Sequence, residues 1–354
     1  MKSLCLTDYD DNFDATDIMI LLDNCCNRLE SLEFQGGKSY TDVFILFILL
    51  KCSNSLKSLT VKDCDLVRSF AVIGKVPLTA LKHLSLEDLN GVADSTLSSL
   101  LMNARGLETL SLQSLPLITD DAFLDRFHTQ CTSTSTSTSF KSVEFGSISV
   151  TDQTLKCIAH CSNLEKIRVW DTESTTCGLI EVVRNCSKLT NIQFYDHVSL
   201  LTDSLICDVT VLPNLQVLFL DSLYSSITDE SIIQLATKCP HLTLLELHPN
   251  CRGVTNKNLL AIASSCTYIE TLSFGGHGRD ITALAVANLY DKCKHLTVFG
   301  GVRSLIRRTT GTYRMLLDRQ LAELVDDEYG EDYCYTDESA IDSEAESQDG
   351  YESV

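Results

Sequence analysis

An apolar pattern with leucine or a relative at its first, fourth and sixth positions recurs along the chain. It opens at Met1, Leu29, Leu56, Leu81, Leu107, Phe140, Leu164, Leu189, Leu215, Leu242, Ile269 and Leu296. The intervals are 28, 27, 25, 26, 33, 24, 25, 26, 27, 27 and 27 residues. In the copy running from Leu242 through Leu245 to Leu247, the fourth and sixth positions share one strand face and the third and fifth the other, because side chains alternate along an extended chain. Each copy therefore predicts a short strand whose apolar side turns inward. A Thr-Asp pair or a relative then follows at Thr41-Asp42, Thr119-Asp120, Thr151-Asp152, Thr202-Asp203, Thr228-Asp229 and Thr255-Asn256. A threonine hydroxyl caps a helix start, and a carboxylate favours the positive end of the helix dipole. The residues after it carry apolar side chains at helical spacing, as in Leu155, Ile158 and Ala159 or Ile232, Leu235 and Ala236. A cysteine three residues before the next copy marks the expected helix end. Strand and helix are expected to alternate twelve times.

Such a unit cannot bury its apolar face alone, so neighbouring copies must stack. The period lies in the leucine-rich-repeat range and excludes the roughly 33- and 34-residue ankyrin and tetratricopeptide units. The expected fold is α/β: a leucine-rich-repeat solenoid, a horseshoe with parallel strands on the concave face and helices on the convex face. Residues 1–301 form a solenoid of about twelve repeats, residues 302–324 a C-terminal capping helix segment, and residues 325–354 an acidic disordered tail. The alternating Thr/Ser run at residues 132–139 lengthens its repeat to 33 residues and reads as a flexible loop. The longest apolar stretch, residues 43–50, is too short to cross a bilayer and reads as a buried helix.

Cysteine is the next signal. Of 16 in the chain, Cys26, Cys52, Cys161, Cys186, Cys239, Cys266 and Cys293 share the slot near the helix end, and Cys131 falls there before its loop. Free cysteine packs as a small hydrophobe, which suits a slot pressed against the next repeat. Helices stacked about 8–10 Å apart hold equivalent residues beyond the roughly 7 Å Cα separation that a disulfide spans. Zinc is the competing reading for Cys157, His160 and Cys161, but no second dyad of metal-ligand spacing accompanies them. No cofactor or metal is expected. Free thiols and an acidic start without a signal peptide's basic and apolar regions point to the cytoplasm or nucleus.

Charge divides the chain. Thirteen acidic residues and no Lys or Arg occupy residues 320–354, so they supply −13 of the formal −20 and the rest −7. Arg303, Arg307, Arg308, Arg314 and Arg319 precede them, with Leu317, Leu321 and Leu324 spaced along one helix face, as a solenoid cap requires. This balance argues against a nucleic-acid partner, and no segment suggests a membrane one. No G-x-S-x-G or H-E-x-x-H motif is present, and Gly275, Gly276 and Gly278 lack the Lys-Ser/Thr ending of a phosphate loop and read as a turn. The chain is not expected to be an enzyme.

The outward strand positions supply the candidate binding surface. Early copies present Ser58, Thr60 and Lys62, then His83, Ser85 and Glu87, then Thr109, Ser111 and Gln113, which read as solvated filler. Later copies present Lys166, Arg168 and Trp170, then Asn191, Gln193 and Tyr195, then Val217, Phe219 and Asp221, then Leu244, Glu246 and His248. Strands about 4.8 Å apart would join the single Trp to Tyr195 and Phe219 in one band. Trp, Tyr and Arg are enriched at interface hot spots, so Arg168, Trp170, Gln193, Tyr195, Phe219, Asp221, Glu246 and His248 are the expected partner-binding residues.

Taken together, the apolar repeat, the Thr-Asp pair at the helix start and the cysteine before the next strand resemble the cysteine-containing leucine-rich repeats of F-box proteins. The resemblance covers residues 1–301. It implies a substrate receptor of a cullin-based ubiquitin ligase, acting in protein ubiquitination and degradation: the repeats hold a target protein on the concave face while an N-terminal F-box binds the Skp adaptor. Met1 already opens the first repeat strand here, leaving no residues for an F-box, so contact with Skp and cullin would run through a segment absent from this sequence. Alternatives are an F-box-less scaffold or cell-cycle regulator, and a small-ligand-sensing receptor of the same repeat class.

Overall fold

The computed structural model describes residues 2–7, 28–36, 40–64, 76–131, 139–248, 254–274 and 281–300. All belong to one unit, Met1–Arg314; the second, Met315–Val354, lies outside the described residues, as do the expected capping segment and acidic tail. Twelve strands form one parallel sheet in strict chain order: β1 (Ser3–Thr7), β2 (Ser31–Gln35), β3 (Ser58–Lys62), β4 (His83–Glu87), β5 (Thr109–Gln113), β6 (Ser142–Gly146), β7 (Lys166–Trp170), β8 (Asn191–Leu201), β9 (Val217–Ser225), β10 (Leu244–His248), β11 (Thr271–Phe274) and β12 (Val298–Gly300). The register keeps the repeat in phase, pairing Leu59 with Leu84, Leu84 with Leu110, and Ile167 with Ile192. Each such row is buried, because a one-residue slip would expose a whole apolar face.

Nine helices occupy the connections among the described residues: α1 (Asp42–Cys52), α2 (Asp94–Asn103), α3 (Asp121–Cys131), α4 (Asp152–Ile158), α5 (Thr176–Asn185), α6 (Asp203–Val209), α7 (Asp229–Lys238), α8 (Asn256–Ser265) and α9 (Ala283–Lys292). Parallel strands need such crossovers, and stacking them in order makes the sheet an open solenoid. The first leucine of the motif closes each turn of the core: Leu29, Leu56, Leu81, Leu107, Leu164, Leu189, Leu215 and Leu242 are all fully buried. The threonine cap holds at Thr41, Thr151, Thr175, Thr255 and Thr282, whose side chains accept a helix N–H, but Thr202 and Thr228 make no such bond.

Two expectations need correction. The apolar stretch at residues 43–50 is a helix, but only half of it is buried. Phe44, Ile45, Ile48 and Leu49 enter the core, whereas Val43 and Leu50 are 74% and 56% exposed, since one helix cannot turn every side toward one core. The aspartate after the threonine also does more than favour the helix end. It reaches the next repeat: Asp94 accepts from the N–H and hydroxyl of Thr119 (2.7 and 2.7 Å), Asp152 from those of Thr175 (2.7 and 2.8 Å), and Asp203 from those of Thr228 (2.8 and 2.9 Å). Asp120 does the same to Thr151 (3.0 and 2.7 Å) and also takes the N–H and hydroxyl of Thr154. Each carboxylate clamps two repeats together and satisfies backbone that the helix start leaves open.

The recurring cysteines cap helices and stitch repeats as well as fill space. Cys52, Cys161, Cys186, Cys239, Cys266 and Cys293 are buried, and all eleven described cysteines are free thiols. The thiol of Cys186 donates to the Cys161 carbonyl oxygen at 3.4 Å, Cys239 to Leu212 at 3.4 Å, Cys266 to Cys239 at 3.6 Å and Cys293 to Cys266 at 3.6 Å. Cys26, the side chain of Cys131, residues 132–138 and the turn at Gly275 to Gly278 lie outside the described residues.

Candidate functional site

Alternation along each strand sends the third and fifth motif positions, and the seventh beyond them, to the concave side, and the parallel register lines them up in rows. One row runs Thr60, Ser85, Ser111, Glu144, Arg168, Gln193, Phe219 and Glu246; the next runs Lys62, Glu87, Gln113, Gly146, Trp170 on β3 to β7, with Tyr195, Asp221 and His248 continuing it on β8 to β10. The early rows are not mere solvated filler. Lys62 pairs with Glu87 at 3.0 Å, His83 Nδ1 lies 3.0 Å from the Thr109 hydroxyl, and Gln113 donates to Ser111, which donates to Glu144 at 3.2 Å. Arg168 closes this chain with a 3.0 Å bond to the other Glu144 oxygen. The first half of the concave face thus bonds laterally to itself.

Beyond Arg168 the surface changes character. Its guanidinium stands 4.8 Å from the centre of the Trp170 ring, and the indole lies across Gly146 in the register position opposite. A Cβ on Gly146 would collide with Cε2, Cζ2 and Nε1 of that indole. Tyr195 and Phe219 pack ring to ring across β8 and β9, with centroids 4.6 Å apart and planes inclined by 31°. The expected single aromatic band is therefore two pairs: Trp170 leans back toward β6 with Arg168, and Tyr195 joins Phe219. Val217 and Leu244, opposite each other on β9 and β10, extend the second pair with half-buried aliphatic side chains. Gln193 turns to Asn191 on its own strand at 3.2 Å. Asp221 and Glu246 are half-buried at the far side, and His248 is placed by its backbone alone, opposite Asp221.

The same point along the solenoid carries two backbone changes. From β3 to β7 each strand stops after five residues at a residue with positive φ: Asp63, Asp88, Ser114, Ser147 and Asp171, all near 50°. Non-glycine residues adopt this left-handed conformation at a cost, with Asp among the more tolerant. Bonds to the next repeat hold it, as from Ser114 N–H to the Gly146 oxygen at 2.9 Å and from Ser147 N–H to the Trp170 oxygen at 3.1 Å. After β7 the strands lengthen to 11 and 9 residues in β8 and β9. The aspartate clamp is also interrupted, because Thr176 stands in its place. Three residues after each clamped threonine the chain has Ala122, Thr154, Gly178, Ser231 or Asn258, whereas after Thr202 it has the buried Leu205. A carboxylate from residue 176 would meet a leucine there.

Gly146 is the site residue that sequence reasoning missed. Its signal was the lack of a side chain at the position facing the only tryptophan. Among the described residues no group of three or more His, Cys, Asp or Glu could hold a metal ion, and no helix is long and apolar enough to cross a membrane. Of the three residues weighed for zinc, Cys161 is buried and His160 Nδ1 lies 3.0 Å from the Lys156 carbonyl oxygen.

No family model matches the sequence, and no curated protein matches it. Solved structures do match. In the crystal structure of the Rad7 and Elc1 complex in yeast, one chain is 18% identical over 84% of this chain and 67% of its own, with a TM-score of 0.54. An internalin, InlF of Listeria monocytogenes, is 16% identical over 84% of this chain and 86% of its own, with a TM-score of 0.50. At these identities the likeness concerns the fold. The chain is an α/β leucine-rich-repeat solenoid.

Proposed function

We propose that this chain is a non-enzymatic protein-recognition module whose concave face, from β7 to β10, holds a target protein. We further propose that it is the target-binding part of a ubiquitin-ligase receptor that reaches a cullin through the Skp adaptor. One observation carries the first reading: the concave polar groups bond to one another as far as Arg168, and the surface then presents Tyr195, Phe219, Val217 and Leu244 half-exposed and side by side. Clustered apolar surface on an otherwise polar face is the mark of an interaction site, and aromatic anchors carry most interface energy. The ligase reading rests on the combined repeat signature of leucines, Thr-Asp pairs and helix-end cysteines. A fold shared with a yeast protein crystallised in a complex is in keeping with partner binding.

Affinity purification of the protein tagged at its own genomic locus, so that any segment encoded beyond the present sequence is included, tests both parts when read by mass spectrometry. Skp and a cullin should be recovered together with a target, and Phe219→Ala should lose the target while keeping Skp and cullin. Ser85→Ala, in the same row but on the early strand β4, should lose neither. Stable partners without Skp or cullin would identify a scaffold instead, and a co-purifying small molecule a ligand-sensing receptor. A target retained in full by Phe219→Ala would move the site off this face.

A further inference from the structure

Resting on that reading, the charges around the apolar patch specify what kind of segment fits it. On β7 Lys166 and Arg168 project on the concave side, and among the described residues the one acid bonded to either is Glu144, which takes a single Arg168 nitrogen. Lys166 is exposed and has no ion pair among the described residues. On β8 Asn191 and Gln193 are neutral and bond to each other. On β9 and β10 the apolar group of Val217, Phe219 and Leu244 is bordered by the carboxylates of Asp221 and Glu246. Crossing the sheet from β7 to β10, the surface therefore runs from cationic through neutral to apolar and then anionic.

We propose that the patch takes an unfolded segment of a protein partner that lies across the strands, with a carboxylate over β7 and an apolar anchor on β9. Geometry sets the spacing. Two strand intervals of about 4.8 Å separate β7 from β9, so the two groups must sit about 10 Å apart on one side of the segment. A polyproline II chain has three residues per turn and rises about 3.1 Å per residue, so residues three apart share a face at about 9 Å. The segment therefore carries Asp or Glu three residues from a Phe, Leu or Ile, and its acid is kept to the β7 side because Asp221 and Glu246 repel it from the other. Arg168 suits this role, since Glu144 takes one of its nitrogens and the side chain is 47% exposed, which leaves further N–H donors for a second carboxylate.

Panning a random peptide library against the immobilised full chain tests this, followed by affinity measurement on the recovered peptides. The expected result is enrichment of an acid three residues from an apolar residue. Replacing that acid by Lys should weaken binding at least about tenfold to wild type, and Lys166→Glu should narrow or reverse that preference. Phe219→Ala should weaken every recovered peptide, with Leu244→Ser as a second variant in case the first unfolds, and an unfolding curve for each. Peptides that need Phe219 and Leu244 but ignore the charge at Lys166 would overturn the proposed segment chemistry and leave the patch standing. Peptides indifferent to both patch variants would overturn the patch as well. A pool with no enrichment overturns the linear segment, while target capture in the purification experiment would still uphold the concave site.

Discussion

The indole of Trp170 occupies the space that a side chain on Gly146 would fill on the neighbouring strand. The contact fixes the ring against β6 and, through the Arg168 stack, sets where the last cation of the polar ladder points. Gly146→Ala should therefore displace the ring. Overpacking of this kind typically costs about 1–3 kcal/mol. Because the chain has one tryptophan, its fluorescence reports on this ring, and emission should shift to the red as the ring is pushed toward water. Wild-type emission in the alanine variant would show that the ring does not rest on Gly146.

The repeat made the fold legible, because each copy states the same two periods and the copies reinforce one another. Strand positions are the best case: all the leucines that open the motif from Leu29 to Leu242 are buried. The helix at residues 43–50 is the instructive failure. Its run of apolar residues has no polar stripe to reveal which side faces out, so Val43 and Leu50 looked like core. The aspartate clamp was invisible for another reason: a residue's neighbours in the next repeat lie some 25 positions away, and Asp152 bonding Thr175 is a contact that helix-capping rules do not anticipate. At the candidate site the sequence placed the outward positions on one side of the strands, as the register does, but could not show that Trp170 leans toward β6 and Tyr195 pairs with Phe219.

Thiol chemistry should separate two classes of cysteine. Burial pushes the thiol of Cys239 up to about 11, and burial with a lesser contribution from Cys161 pushes Cys186 up to about 12. Cys266 also stands at about 12 and Cys293 at about 11, burial leading in both. None is appreciably thiolate near neutrality, and each is shielded from solvent. Brief alkylation of the native protein at pH 8 should modify Cys177 and Cys207, which are exposed, and spare these four until denaturant is added. Mass spectrometry of the digested protein reads the outcome. Early labelling of Cys239 or Cys266 would mean that the stacked helices open far more readily than a continuous core allows. In the same core Cys239→Ser should cost about 1–2 kcal/mol, since the Leu212 oxygen that accepts from the thiol remains to accept from a hydroxyl.

The clamps should also make stability fall in acid. Burial raises the Asp120 carboxyl, but the Thr154 hydroxyl, the Thr151 N–H, the Thr151 hydroxyl and the Thr154 N–H together hold it below the ordinary aspartate value. Asp203 is likewise lowered: burial opposes, and bonds from Ser231 and Thr228 prevail. A carboxyl lowered by folding binds its proton less readily in the native state than in the unfolded chain. Its contribution is complete above the ordinary value of 3.8 and is lost as pH falls through the lower folded value. Asp120→Asn should thus be less stable than wild type at pH 7, and the gap should close as pH falls below about 4. Urea unfolding of both proteins across that range is the measurement; a gap that stays constant with pH would remove the charge from the clamp's account.

Gly178 offers the sharpest test of the clamp, because two general effects oppose each other there. It lies in the first turn of α5, where alanine is normally the better helix former by about 1 kcal/mol. A Cβ at this position, however, would stand 2.5 Å from Asp152 Oδ1 and 2.9 Å from Leu155 Cδ1. Neither atom is free to yield: the carboxylate is held by the N–H and hydroxyl of Thr175, and Leu155 is fully buried. Making room would break a charge-assisted pair of hydrogen bonds, and each such bond contributes about 1.5–3 kcal/mol. The loss exceeds the gain in helix propensity, so Gly178→Ala should destabilise, by about 2–5 kcal/mol. Adding Asp152→Ala should remove the main obstruction, so that Gly178→Ala costs much less in that background. A double-mutant cycle in denaturant measures this coupling, and additive effects would show that Gly178 is not there to admit the carboxylate.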